Sequence, residues 1–188
     1  NVPYKEDDET NPQCVYGETK LKGELAVRSS GCKHIIIRTA WVFSEYGNNF
    51  LKTMLRLGAE RDELSIVGDQ IGCPTYAQDL AIAINKIIER LKFKETLSCL
   101  YHFSGNVCLS WAEFSKLIFN EALELELITK KPKVAAVASN EFHALAQRPL
   151  NSMLNSKKFE INFGVAASDL SLGIKSSLNA IKERKINL

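Results

Sequence analysis

Near its start the chain reads Val15-Tyr16-Gly17-Glu18-Thr19-Lys20-Leu21-Lys22-Gly23-Glu24. Tyr16 and Lys20 are four residues apart, so in a helix they lie on one face, one turn apart. A phenol alone is a weak acid near neutrality, and an ammonium group beside it stabilises the phenolate. The pair therefore suits a proton donor to a carbonyl oxygen. The pattern Tyr-x-x-x-Lys is loose, and its chance occurrence in a chain of 188 residues is the alternative interpretation.

The residues beside this pair predict a helix followed by a strand. The helix runs over about 15–28, with Leu21 and Leu25 on its buried face, and Gly31 ends it. Glycines within the helix leave room for a cofactor to approach the backbone. Ile35-Ile36-Ile37 predicts a strand buried on both faces of a parallel sheet.

The next run, Arg38-Thr39-Ala40-Trp41-Val42-Phe43, extends that strand to its carboxyl end, where open α/β sheets bind ligands. Trp41 is thereby placed where a substrate ring or a nicotinamide could contact it. A tryptophan packed in the core is the equally simple alternative.

The rest of the chain alternates between helical and strand patterns. Capping-box spacing at Thr75 and Gln78, and again at Ser110 and Glu113, predicts the starts of two helices. Apolar periodicity predicts further helices over about 49–59 and from about 168, and strands at 64–67, 99–103 and 134–137. We interpret 68–74 as a loop.

Composition excludes several classes of protein. A net charge of +2 argues against a general nucleic-acid surface, and no apolar run is long enough to span a bilayer. The first residues lack the apolar core of a signal peptide, which favours a cytoplasmic protein. The five cysteines form no Cys-x-x-Cys pair, so we interpret them as reduced thiols and expect neither a disulfide nor a metal site. The isolated histidines favour structural or surface roles: His34, His102 and His143.

Taken together, several stretches resemble the dTDP-4-dehydrorhamnose reductases, which are extended short-chain dehydrogenases. Each stretch is weak alone, but their order and spacing along the whole chain are specific. The matching stretches are Pro3-Tyr4-Lys5-Glu6-Asp7-Asp8, Tyr16-Gly17-Glu18-Thr19-Lys20, Arg38-Thr39-Ala40-Trp41-Val42, Asn48-Asn49-Phe50, Gly72-Cys73-Pro74-Thr75-Tyr76, Asp79-Leu80-Ala81 and Arg148-Pro149-Leu150-Asn151-Ser152.

The resemblance implies an oxidoreductase that transfers hydride from NADPH, or NADH, to the C4 ketone of a dTDP-4-keto-6-deoxy sugar. The product, dTDP-L-rhamnose, serves bacterial surface polysaccharide. Tyr16 would donate the proton, while Lys20 would hold the nicotinamide ribose and Thr39 would contact the cofactor. Substrate contacts would come from Trp41, Asn49 and Arg148. A guanidinium suits a diphosphate, although Arg148 could equally pin its own loop.

The resemblance also implies a fold: the C-terminal part of a Rossmann-type doubly wound parallel sheet with a small α/β substrate-binding lobe. Residues 1–188 would form the C-terminal portion of one NAD(P)-binding protein. The catalytic helix lies at about 15–28, and the lobe comes mainly from about 44–76 and 99–165. The family's glycine-rich cofactor turn and its catalytic Ser or Thr would precede Asn1. We therefore expect residues 1–188 alone to be inactive, and a homodimer is an open alternative.

Two other functions fit the same features. A nucleotide-sugar epimerase or dehydratase of this superfamily shares the Tyr/Lys pair. A non-catalytic regulatory subunit, like the β subunit of eukaryotic methionine adenosyltransferase, keeps the fold without the reaction. The stretches around Trp41 and Arg148 favour the reductase.

Overall fold

A computed structural model describes residues 2–91, 99–142 and 148–184. His143 and Asn1 lie outside these ranges. Helices and strands alternate along the described chain. The helices are α1 Val15–Ser29, α2 Phe50–Glu60, α3 Ala77–Leu91, α4 Trp111–Glu124, α5 Lys157–Phe163 and α6 Leu170–Arg184. The strands are β1 Ile35–Arg38, β2 Val42–Phe43, β3 Glu63–Val67, β4 Ile71–Gly72, β5 Thr75–Tyr76, β6 Cys99–His102, β7 Leu109–Ser110 and β8 Lys133–Val137.

The strands pair mainly in parallel. β1 pairs with β6, β2 with β5 and β3 with β8, all in parallel register. β4 pairs with β7 in the antiparallel sense. Parallel strands connected through helices are the mark of the α/β class, which confirms the predicted fold.

Two hydrophobic clusters hold the described chain together. The larger lies among α2, α4, α6 and the β3–β8 pair, and Leu51, Leu55, Phe114, Ile118 and Leu178 are central to it. The smaller lies between the β1–β6 pair and helices α3 and α5. Its fully buried aromatic side chains are Tyr101, Phe103, Phe159 and Phe163.

Several expected elements have the predicted bounds. The helix predicted over 15–28 is α1, and the capping box at Ser110 and Glu113 is present with both of its hydrogen bonds. The capping box predicted at Thr75 and Gln78 is wrong, because the Thr75 hydroxyl donates to the Ala40 carbonyl and α3 begins only at Ala77. The helix α5 has no counterpart in the prediction, since its seven residues are too few to show a helical period.

Burial of the first elements is lower than the patterns indicate. α1 has no buried side chain, and Leu25 is exposed. β1 is half-buried throughout rather than buried on both faces. In α3, Ile84, Ile88 and Leu91 are exposed although their spacing predicts an inward face. Periodicity identifies the apolar face of a helix, but not whether another element covers it within these residues.

The cysteine prediction is also corrected. Cys73 and Cys108 form a disulfide, with Cα atoms 4.3 Å apart. Cys73 follows β4 and Cys108 precedes β7, and the pairing of Gly72 with Leu109 brings the two together. The spacing of the cysteines along the sequence does not show which of them strand pairing brings together. The free cysteines among the described residues are Cys14, Cys32 and Cys99.

Candidate active site

Helix α1 carries the tyrosine–lysine pair on an open face. The Lys20 ammonium lies 5.3 Å from the centroid of the Tyr16 ring. Tyr16 is 70% exposed, so its ring and hydroxyl are accessible to a ligand. The Thr19 hydroxyl donates to the Tyr16 carbonyl at 2.8 Å, so its hydrogen bond is made within the helix. The predicted juxtaposition of phenol and ammonium is therefore present.

An ion pair connects this helix to the end of β1. The Arg38 guanidinium donates to both oxygens of Glu24, which lies one turn after Lys20. Thr39 follows Arg38 directly and is exposed. The Arg38–Glu24 ion pair thus fixes α1 to the end of β1, where Thr39 is the predicted cofactor contact.

Trp41 lies just beyond β1 in an unusual conformation. Its φ is 50°, in the left-handed region, which costs about 1–3 kcal/mol for a residue other than glycine. Residues 39–41 separate β1 from β2, so the single strand predicted through Phe43 is two short ones. Thr75 holds the backbone here, since its amide donates to the Trp41 carbonyl at 3.2 Å.

The indole of Trp41 stacks on Trp111, with ring centroids 3.4 Å apart and planes inclined by 7°. Phe50 contacts the other tryptophan, with its centroid 4.6 Å from that of Trp111. On the β4 side, a Cβ placed on Gly72 would come 2.4 Å from Trp41 Cε2, so only glycine fits. Trp41 and Trp111 both remain partly exposed.

Trp111 is the residue that the sequence interpretation missed. The signal that could have found it is the Ser110–Glu113 capping box, which makes Trp111 the first residue of α4 and places it beside β7. The same box holds the pKa of the Glu113 carboxyl below its usual range, because the Ser110 backbone amide and hydroxyl donate to it.

Four side chains form a hydrogen-bond chain that ends at an anion. Trp111 Nε1 donates to Gln70 Oε1 at 3.2 Å, and Gln70 Nε2 donates to Ser139 Oγ at 3.0 Å. The Ser139 hydroxyl donates to Asp69, and its backbone amide donates to the same carboxylate at 2.9 Å. These two bonds hold the pKa of Asp69 below its usual range.

Asn49 is committed to the local backbone. It is the N-cap of α2, where its Oδ1 accepts from the Lys52 amide. Its Nδ2 donates to the carbonyls of Ser44 and Tyr46. These bonds explain the asparagine structurally, and its predicted contact with substrate stays a prediction.

Arg148 begins a segment that runs beside β4. The carbonyl of Leu150 accepts from the Ile71 amide, and the Ser152 amide donates back to the Ile71 carbonyl, each at 2.8 Å. Arg148 itself is exposed and makes no hydrogen bond or ion pair with the described part of the chain. The segment is therefore pinned by its backbone, which leaves the guanidinium available.

Tyr76 shows the opposite environment from that of Tyr16. Its hydroxyl donates to the buried Glu45 carboxylate at 3.2 Å. Burial, with the charge of Glu45, raises the pKa of Tyr76 to about 12. Tyr76 is therefore a structural donor rather than an acid for a ligand.

Residues 2–91, 99–142 and 148–184 contain no group of three or more His, Cys, Asp or Glu side chains suited to a metal ion. None of the described helices is long and apolar enough to cross a membrane.

Comparison with known proteins identifies the family. The RmlD substrate binding domain model matches residues 1–183. A dTDP-4-dehydrorhamnose reductase of Aggregatibacter actinomycetemcomitans is 44% identical over 174 residues, which cover 92% of this chain and 59% of that protein. This chain thus spans about three fifths of the length of the curated relatives it matches.

Solved structures agree with this assignment. The crystal structure of dTDP-4-dehydrorhamnose reductase from Bacillus anthracis in complex with NADP has a TM-score of 0.82 and 38% identity, covering 94% of this chain and 59% of that one. An ortholog from Clostridium acetobutylicum has a TM-score of 0.85 and 34% identity, covering 97% and 61%. The chain belongs to the RmlD substrate-binding domain family.

Proposed function

We propose that this chain is part of a reductase that converts dTDP-4-dehydrorhamnose to dTDP-L-rhamnose with NADPH. The observation that carries the proposal is the exposed Tyr16 ring with the Lys20 ammonium 5.3 Å from its centroid. The names of the relatives indicate the same reaction. NADH is the alternative cofactor.

The proposed chemistry divides the work between cofactor and protein. NADPH supplies the hydride that adds to the C4 carbonyl carbon. Tyr16 donates its hydroxyl proton to the carbonyl oxygen, so that ketone, hydride and proton together give the alcohol. The Lys20 ammonium stabilises the phenolate that remains and binds the nicotinamide ribose.

The described residues fit the nicotinamide–ribose end of the cofactor. Tyr16 and Lys20 present their polar groups on the open face of α1, and Thr39 is exposed at the end of β1. The Arg38–Glu24 pair holds α1 and β1 together, so these three groups belong to one connected unit.

On the sugar side, we assign contacts to three residues. Trp41 offers a partly exposed indole at the strand end, and the exposed Arg148 guanidinium suits the diphosphate. Asn49 would contact substrate only through the hydrogen-bonding capacity of its side chain that the capping bonds do not use. We assign the substrate lobe mainly to about 44–76 and 99–165.

The product is a precursor of bacterial surface polysaccharide, and we place this protein in the cytoplasm. We leave a homodimer as an open alternative. The epimerase or dehydratase and the regulatory subunit are distinguished by one assay of the complete protein with NADPH and the dTDP-4-keto sugar. A reductase consumes NADPH stoichiometrically, an epimerase changes the sugar without net consumption, and a regulatory subunit does neither.

The test of the catalytic assignment is Tyr16→Phe in the complete protein. We expect kcat to fall roughly 10²–10⁴-fold, the usual contribution of a positioned acid. Tyr4→Phe is the control, because the Tyr4 ring is also partly exposed but has no lysine four residues on. Near-normal turnover by Tyr16→Phe would refute the role of Tyr16.

A further inference from the structure

We propose that Trp111 is a positioning residue, which fixes Trp41 in the orientation that receives the hexose of the nucleotide sugar. The inference rests on the proposed function, because it assigns the sugar to Trp41. It adds a second tryptophan, held by its own hydrogen-bond chain, that does not itself need to touch the ligand.

The backbone alone does not determine how the Trp41 ring lies. Trp41 has a left-handed backbone conformation beyond the end of β1, and the Thr75 amide contacts only its carbonyl. Gly72 limits the ring on one side, at the 2.4 Å approach that excludes a methyl group. The remaining constraint is the face of Trp111, parallel to within 7°.

Trp111 can impose this constraint because its own ring is fixed at the polar edge. Its Nε1–H points at Gln70 Oε1, and Gln70 is buried. Each later donor in the chain has one acceptor, so Gln70 can orient its amide in only one way without losing a bond. The chain ends at the Asp69 carboxylate, whose two bonds from Ser139 fix its position.

The position of the pair beside β4 connects it to the proposed diphosphate contact. A Cβ on Gly72 would also come 2.8 Å from Ser152 Oγ, so the Trp41 ring and the segment that begins at Arg148 meet at one residue. A rigid indole there sets where a hexose can lie relative to the diphosphate. Loss of the Trp111 stack should therefore weaken recognition of the sugar and spare recognition of dTDP.

The experiment uses two probes, dTDP and dTDP-L-rhamnose, titrated by isothermal calorimetry against the complete protein. The variants are Gln70→Leu, which removes the acceptor for Trp111, and Ser139→Ala, which breaks the chain two residues from the indole. The control is Ser115→Ala, which removes a hydroxyl that bonds only within α4.

We expect Gln70→Leu and Ser139→Ala to weaken binding of dTDP-L-rhamnose about 3- to 10-fold, as loss of a favourable aromatic pair does, with dTDP affinity unchanged. The exciton couplet of the stacked indoles in circular dichroism should decrease in the same variants. Ser115→Ala should keep both affinities.

Other outcomes overturn the inference in distinguishable ways. If both variants keep the wild-type difference between the two ligands, or lose affinity for both ligands equally, Trp111 has no positioning role while the proposed function stands. If the complete wild-type protein binds neither probe, the proposed function fails, and this inference fails with it. Should Gln70→Leu not fold, the variant Ser139→Ala, at a half-buried position, decides alone.

Discussion

Arg38 donates two hydrogen bonds to the Glu24 carboxylate, from Nε at 2.9 Å and from Nη2 at 2.8 Å. The same carboxylate also pairs with Arg28 at 2.9 Å, and its side chain is only 10% exposed. Since no apolar residue of α1 is buried, this ion pair is a main anchor of the helix that carries Tyr16 and Lys20. A two-point contact of this kind fixes direction as well as distance.

Glu24→Gln should loosen α1 without unfolding the rest of the protein. The amide keeps the size of the side chain but presents a donor to the guanidinium where an acceptor is needed. A hydrogen bond to a charged group contributes about 1.5–3 kcal/mol, so α1 amides should exchange with solvent measurably faster. Hydrogen exchange followed by mass spectrometry gives the measurement.

Glu18→Gln provides the matched control, because Glu18 lies on the same helix and is exposed. Its α1 amides should exchange at the wild-type rate. Equal exchange in Glu24→Gln and the wild type would show that other contacts anchor the helix.

The disulfide predicts a second measurable effect. Cys73 and Cys108 are 35 residues apart, and closing a loop of that size lowers the entropy of the unfolded chain. The expected contribution to the free energy of unfolding is about 3–4 kcal/mol. Urea unfolding with and without a reductant should show this difference in the wild type and no reductant effect in Cys108→Ser.

Cys32→Ser is the control for the loss of a thiol, because Cys32 is free and exposed. It should keep the full reductant effect. Titration of five free thiols in the unreduced wild type would contradict the bridge.

The sequence predicted the features that depend on local spacing. The Tyr16–Lys20 face of α1 and the Ser110–Glu113 box follow from separations of four and three residues along the chain, and both are present. It did not predict the Cys73–Cys108 bridge or the Trp41–Trp111 stack. Both of these arise where β4 and β7 pair across a separation of more than 30 residues, and no local period records such a contact.

The apolar periodicity of the sequence also did not predict which apolar side chains are buried. The period of α3 places Ile84 and Ile88 on an apolar face, and the face exists, but nothing within the described residues covers it. Thr75 has the spacing of a capping residue, yet it lies in β5. Its hydroxyl donates to the Ala40 carbonyl beside the left-handed Trp41. Long-range demands of this kind override a local signal.

His102 should make stability depend on pH. Its Nδ1 lies 3.1 Å from the Tyr4 carbonyl, so the neutral ring carries its proton there, and the buried Nε2 has no hydrogen-bond partner in the described ranges. Burial lowers the pKa of His102, against the opposing charge of Glu6, while Arg38 adds to the lowering.

The sign follows from that direction. In the unfolded chain the histidine takes up a proton as pH falls through about 6.5, whereas the folded chain resists it to lower pH. The free energy of unfolding should therefore decrease as pH falls from 7 to 5.5, by at most about 1.4 kcal/mol per pH unit from this group. His102→Gln should remove this part of the slope, as measured by urea unfolding at several pH values.

His34→Gln is the comparison, since His34 is only partly buried and its ring contacts the Cys32 carbonyl. It should leave the pH dependence unchanged. A slope that survives in His102→Gln would assign the acid sensitivity to carboxylates instead.

Two glycines allow the addition of one methyl group to be tested in opposite environments. Gly72→Ala places a Cβ 2.4 Å from Trp41 Cε2 and 2.8 Å from Ser152 Oγ, so it should lower the free energy of unfolding by about 1–3 kcal/mol and shift the tryptophan emission. Gly23→Ala meets no atom within 4 Å and lies inside α1, so it should raise stability by about 0.5–1 kcal/mol.

The same Gly23 methyl also tests how closely a cofactor approaches α1. If NADPH binds against this helix in the complete protein, Gly23→Ala should weaken its binding while stabilising the fold, a combination that a purely structural glycine does not give. Fluorescence titration with NADPH and urea unfolding of the same sample measure the two effects. Tighter or unchanged NADPH binding by the stabilised variant would show that the cofactor does not approach the backbone at this position.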